Sequence, residues 1–214
     1  MGKRNAVIDL LGLLSYGQLV AFDSIANDAK LAPDLRKRAL LSQIAAAEVQ
    51  HYQSLADRLA ELGVDPRSAM KPFVTPIDEF HSRTRPNDWL EGLVKAYIGD
   101  GFADDFYREV AEFLDDEDRT VVQDVLHDTR LADYAVAEVR SAIEKDPARG
   151  DELALWARRL VGEAVSQAQR VAAERDALTE LVVEGSGSLT GVGQLLKRLT
   201  VAHTKRLAAM GLSN

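Results

Sequence analysis

The sequence predicts an all-α protein: a four-helix bundle interrupted by one long crossover, with two additional C-terminal helices. Three observations carry this prediction. Apolar residues recur three and four apart along most of the chain, while β-branched runs alternating at period two are nearly absent. The six prolines fall at a few joints and leave long uninterrupted stretches between them. Apolar residues make up 46% and charged residues 28% of 214 residues, the balance of a globular chain long enough to bury a core.

A first helix is predicted over about 7–29, ending before Ala32-Pro33-Asp34, where Asp34 caps a second helix that stops near Leu62-Gly63. From Gly63 to Asn87 the chain carries Pro66, Pro72, Pro76 and Pro86. That is too many prolines for one helix and too long a span for a tight turn, so 63–87 reads as a crossover with short helical turns. Asp88 caps a third helix reaching about Phe113, and the acidic turn Asp115-Asp116-Glu117-Asp118 leads into a fourth that Asp146-Pro147 closes after Lys145. Short loop, long crossover, short loop is the connectivity of a ferritin-like four-helix bundle. A fifth helix over 148–183, the linker Gly185-Ser186-Gly187-Ser188 and a sixth helix over 189–210 complete the chain. The expectation is a single ferritin-like domain over 1–214, with the bundle in 1–146 and the helices of 147–214 packed on it.

Composition excludes several chemistries. With no cysteine there is no disulfide, thiolate metal site, iron–sulfur cluster or thiol nucleophile, so any metal must use Asp, Glu or His. A formal charge of −8 argues against a generally basic nucleic-acid surface. Asp9 interrupts the apolar N-terminal stretch, and the uncharged run 10–22 is short for a bilayer span; the expectation is a cytoplasmic protein with no membrane partner.

Chemistry is expected where polar residues interrupt apolar stripes. On the second helix Leu41, Ile44, Leu55, Leu59 and Leu62 share a stripe with Glu48 and His51, a carboxylate and an imidazole one turn apart that can grip one cation. Gln18 interrupts the first stripe fifteen residues before Pro33, and Glu48 follows Pro33 by fifteen. An antiparallel pair therefore sets both at one depth, about 22 Å from the turn. Asp100 and Asp128 interrupt the third and fourth stripes, each fourteen residues from Leu114. Gln18, Glu48, His51, Asp100 and Asp128 are thus the candidate metal residues in one layer, with Asp104, one turn beyond Asp100, a rival for its role. Carboxylates buried together need a cation or a proton.

On these residues the chain resembles the ferritin-like family related to the tRNA 2-methylthio-N6-isopentenyladenosine hydroxylases, particularly its actinobacterial-type branch. The segments that carry the likeness are Tyr16-Gly17-Gln18-Leu19 with Phe22, Glu48-Val49-Gln50-His51-Tyr52, Leu93-Val94-Lys95-Ala96-Tyr97-Ile98-Gly99-Asp100-Gly101 with Asp105-Phe106-Tyr107, and Asp128-Thr129. The resemblance implies a di-iron centre that activates dioxygen and hydroxylates an isopentenyl group on a tRNA base. It also implies a Glu on helix one, where Gln18 stands, and a second His on helix four, where Leu131 stands. Losing an anion and an imidazole weakens the donor set. The expected cofactor is therefore at most one weakly held iron, with no nucleotide cofactor. The expected function is a non-catalytic bundle that binds a partner or ligand through an impaired metal site; the alternative is an O2-dependent iron monooxygenase acting on an isopentenylated tRNA base.

Two surfaces bear on partners. Lys197, Arg198, His203, Lys205 and Arg206 form a cationic end of the last helix, read as solvated, with contact to RNA phosphates the alternative and tRNA a partner by resemblance alone. Trp156, Leu160, Leu195, Leu196 and Leu199 form an apolar packing surface, the basis for expecting a homodimer through the C-terminal helices.

Overall fold

The computed structural model describes residues 2–127 and 130–213, except the side chain of Leu189. Every regular element among the described residues is helical. Helix α1 (Gly2–Asp28) runs through a short 3-10 turn, Ala29–Leu31, and α2 (Leu35–Glu61) folds back along it as its most extensive neighbour. The reversal is sharp because Asp34, in extended conformation, accepts a hydrogen bond from the Lys37 backbone N–H at 2.9 Å and so starts α2. The crossover holds α3 (Pro66–Met70), a 3-10 turn Lys71–Phe73 and α4 (Val74–Arg83). Gly12 of α1 lies so close to α3 that a Cβ there would stand 2.4 Å from the Ala69 carbonyl oxygen.

The second helix pair departs from the sequence expectation. The third helix runs unbroken from Trp89 to Ala111, near the expected bounds, but a π-helical turn, Lys95–Asp100, separates its α-helical parts α5 (Trp89–Val94) and α6 (Gly101–Ala111). The expected fourth helix divides into α7 (Asp116–Val125) and α8 (Arg130–Lys145). After Asp146 come α9 (Pro147–Glu174), α10 (Asp176–Gly185) and α11 (Leu189–Met210), so three helices stand where two were expected. The break falls at Arg175 (φ −126°, ψ 75°), whose guanidinium turns to chelate the carboxylate of Asp9, only 4% exposed on α1. The pairing leaves the buried Asp9 charge compensated, and α10 packs along α1.

Three apolar clusters fill the interior. One joins α1, α2, α7 and α10 around Leu10, Leu14, Leu59 and Phe73. A second joins α5, α8, α9 and α11 around Val94, Ile98, Leu153 and Leu160. A third, around Ile25, Leu41 and Ile44, closes the α1–α2 turn. Residues 2–31 are long and apolar enough to cross a membrane, with a window of mean hydropathy 1.4, yet 56% of that window is buried inside the bundle, as in a core helix. Trp156, Leu160, Leu195 and Leu199 are covered by the chain's own core, and of that group Leu196 stays exposed.

Candidate functional site

The heptad-like stripe of α2 turns Glu48 and His51 inward one turn apart, their side chains 15% and 20% exposed. His51 Nδ1 stands 3.2 Å from Glu48 Oε2, so the two donors engage each other. On α1, Gln18 is half-buried, and its Oε1 is an enclosed acceptor with no hydrogen-bond partner among the described residues. Asp128, the fourth-helix candidate, lies outside the described residues. Leu131 packs beside Trp89 and Tyr134 against two of the apolar clusters, so the position where the resemblance implies a histidine belongs to the core.

The π turn and α6 carry the other carboxylates. Burial pushes the Asp100 carboxyl up to about 7; Lys95 opposes the rise, while the charges of Asp104, Glu48 and Asp28 add to it. Burial likewise takes Asp104 up to about 6, with Arg108 and Arg206 opposing and Glu48 and Asp105 adding. The Tyr107 hydroxyl is raised by burial and then by Asp104 and Asp100. Asp100 and Asp104 thus both feel the charge of Glu48 across the bundle, and the geometry gives neither of them sole claim to the third-helix position.

Sequence reasoning missed two members of this neighbourhood. Asp28, at the end of α1, is buried against Gly92, and burial raises its carboxyl to about 6 with Lys95 opposing. Lys95 is 3% exposed, and its Nζ lies 5.8 Å from the centre of the Phe80 ring. Burial lowers the Lys95 ammonium, while Asp100 and Asp28 hold it up. Nearby, His81 is driven down to about 3 by burial and by the Lys95 charge, so this imidazole is neutral. The available signal was a single Lys among the apolar residues Leu93, Val94 and Ile98, but α-helical periodicity does not bring it beside Asp100.

A cavity of about 10 Å³ lined by Ile25, Asp28, Leu41, Trp89 and Leu131 has room for at most one water molecule. The larger cleft, about 420 Å³, is lined by Asn5, Asp9 and Arg175, at the other end of α1 from Asp28.

Residues 2–185 match the family described as ferritin-like domain, actinomycetes. The chain belongs to that ferritin-like family. A solved structure of protein 19 with aldehyde deformylating oxidase activity from Synechococcus is similar to it at a TM-score of 0.76. That similarity covers 100% of this chain and 93% of the other at 19% identity, which shows the shared fold. No curated protein matches the chain. Iron is a frequent ligand of ferritin-like proteins. Among the described residues of this one, no three His, Asp or Glu side chains stand where they could hold a metal ion. With Gln18 Oε1 orphaned and Leu131 in the core, the residues described do not fit a di-iron centre.

On α11 the cationic end is largely committed. Arg206 chelates Asp105 and Arg198 chelates Glu109, both on α6, while Lys197 and Lys205 of the expected group are exposed cations outside these pairs.

Proposed function

We propose that this ferritin-like chain is a metal-poor relative of the di-iron tRNA hydroxylases that works in the cytoplasm by binding a partner or ligand and does not activate dioxygen. The observation that carries this reading is the donor set: Gln18 and Leu131 stand where an anionic ligand and an imidazole would be needed, and no three described donors converge. At most one iron, held weakly by Glu48 and His51 with Asp128, is compatible with that set. Exposed apolar residues on the C-terminal helices, Leu155 and Leu196 among them, fit a homodimer as the partner. Expression with iron supplied, followed by elemental analysis of the full chain, tests the proposal. One iron or fewer per chain is expected, and two firmly bound irons would refute it. A second reading, an iron monooxygenase acting on an isopentenylated tRNA base, draws on the intact Glu48–His51 pair. It requires iron-dependent dioxygen consumption that Glu48→Gln abolishes.

A further inference from the structure

In the bundle interior Asp100 lies within electrostatic reach of Asp28, Glu48 and Asp104, and Asp104 within reach of Glu48. Such a layer folds only if protons or cations balance it. We propose that the Lys95 ammonium is the resident cation of the Asp28–Asp100 side of this layer, taking in its charge balance the place that a metal dication would hold, while Arg108 and Arg206 serve Asp104. This rests on the metal-poor reading above and extends it by naming what replaced the metal.

Four observations place the ammonium. First, Lys95 and Asp100 bracket the π turn. Five residues along an α-helix would diverge by about 140°, whereas a turn closed between residues five apart sets them nearer one face. Second, the carboxyl of Asp28 lies against Gly92, one turn before Lys95, where a Cβ would come within 3.1 Å of its Cγ and Oδ2. The bare backbone at 92 leaves the room in which that carboxylate sits. Third, Phe80 covers the turn, its Cζ 3.3 Å from where a Cβ of Gly99 would be, and offers its ring to Lys95 Nζ at 5.8 Å. An aromatic face stabilises a cation that has left water. Fourth, Lys95 closes no direct ion pair among the described residues, yet it acts on both Asp28 and Asp100, so one charge serves two carboxylates. Arg85 and the neutral His81 are the other titratable groups that face it. An internal ammonium of this kind repels an incoming dication.

The test uses the full chain, treated with chelator, and the variants Lys95→Met, Asp100→Asn, Lys95→Met with Asp100→Asn, and Lys95→Arg. Thermal unfolding at pH 8 and Mn2+ titration calorimetry are the readouts. Lys95→Met is expected to lower the unfolding midpoint by about 5 °C, and the double variant to recover at least half of that loss. Lys95→Met should also tighten Mn2+ binding by about tenfold or more over the parent, with Lys95→Arg retaining parental behaviour. Additive single effects, or an unchanged Mn2+ affinity, overturn the proposal. Should Lys95→Met fail to fold, a folded double variant supports it and an unfolded double variant overturns it. Iron content of the parent keeps the two readings apart: two irons sink the metal-poor reading, whereas an iron-poor parent with additive variants sinks only the role of Lys95.

Discussion

A buried carboxyl group without a contacting cation holds its proton, and Asp28 shows the consequence most directly. Its side chain is enclosed against Gly92, and burial lifts it from 3.8 to about 6 against the opposing charge of Lys95. The native state therefore binds that proton more tightly than the unfolded chain does. The stability this contributes is fully present below about pH 4 and is lost as pH rises through about 6. Asp28→Asn removes the ionisation while keeping the shape, so the variant should match the parent near pH 4 and exceed it at pH 8 by on the order of 2 kcal/mol. Denaturant unfolding at the two pH values measures this, and an equal effect at both would show that Asp28 is ionised throughout. The same reasoning explains why Gln18 is tolerated where the resemblance implies Glu. A neutral amide with one orphaned acceptor, Oε1, costs about 1–3 kcal/mol, less than an enclosed anion without a cation.

At the scale of elements, close approach and local chemistry decide where helices stop, bend and touch. Gly12 and Gly17 both sit inside α1, where alanine is the better helix former, yet they differ in surroundings. A Cβ at Gly12 would meet the Ala69 carbonyl oxygen at 2.4 Å, while a Cβ at Gly17 would meet nothing within 4 Å. Gly12→Ala should therefore cost roughly 2 kcal/mol through displacement of α3, and Gly17→Ala should gain up to about 1 kcal/mol. Thermal unfolding of the two variants checks the pair; a stabilised Gly12→Ala would mean that α3 moves freely. Helix starts were legible because Asp34, Asp88, Asp115, Asp146 and Ser188 all cap through their own side chains, a local interaction that sequence displays. The π turn at Lys95–Asp100 and the break at Arg175 were not legible. At the Arg175 break the guanidinium engages a carboxylate 166 residues away in sequence, a contact that leaves no periodic trace. For the site, spacing drew attention to Glu48, His51, Gln18 and Asp100, but it passed over Lys95 and Asp28, which act through charge at a distance rather than through a motif.

In the whole molecule, α11 stands apart from the rest. The family match ends at residue 185, and the Gly185–Ser188 linker, with Gly187 at φ +73°, joins α11 to the body. Helix α11 nevertheless contributes Leu207 and Met210 to the second core cluster and clasps α6, the helix that carries Asp104. Arg206 lies across the bare backbone of Gly101, where a Cβ would stand 2.6 Å from its Nε, and chelates Asp105 with both partners 16% exposed. Arg198 reaches Glu109 from a far more exposed position, which is worth little. The attachment of α11 therefore depends on apolar contacts along the helix, from Leu195 and Leu199 to Leu207 and Met210, together with one half-buried ion pair. Removing Arg206 leaves Asp105 with only its longer contact to Arg108, at 3.5 Å, at a cost of about 1–3 kcal/mol. If α11 opens as its own unit, Arg206→Ala lowers the free energy of that local opening and leaves global unfolding nearly unchanged. Native-state hydrogen exchange should then speed up for amides across 192–210 and hold steady for α1 and α2, whose contact with each other does not involve α11. Loss of Arg206 should also raise Asp104 further, because one of the two guanidinium groups opposing its protonation is gone. Uniform acceleration across all helices would show instead that α11 is integral to a single cooperative core, and that the covering of α6 belongs to global stability rather than to a separable strap.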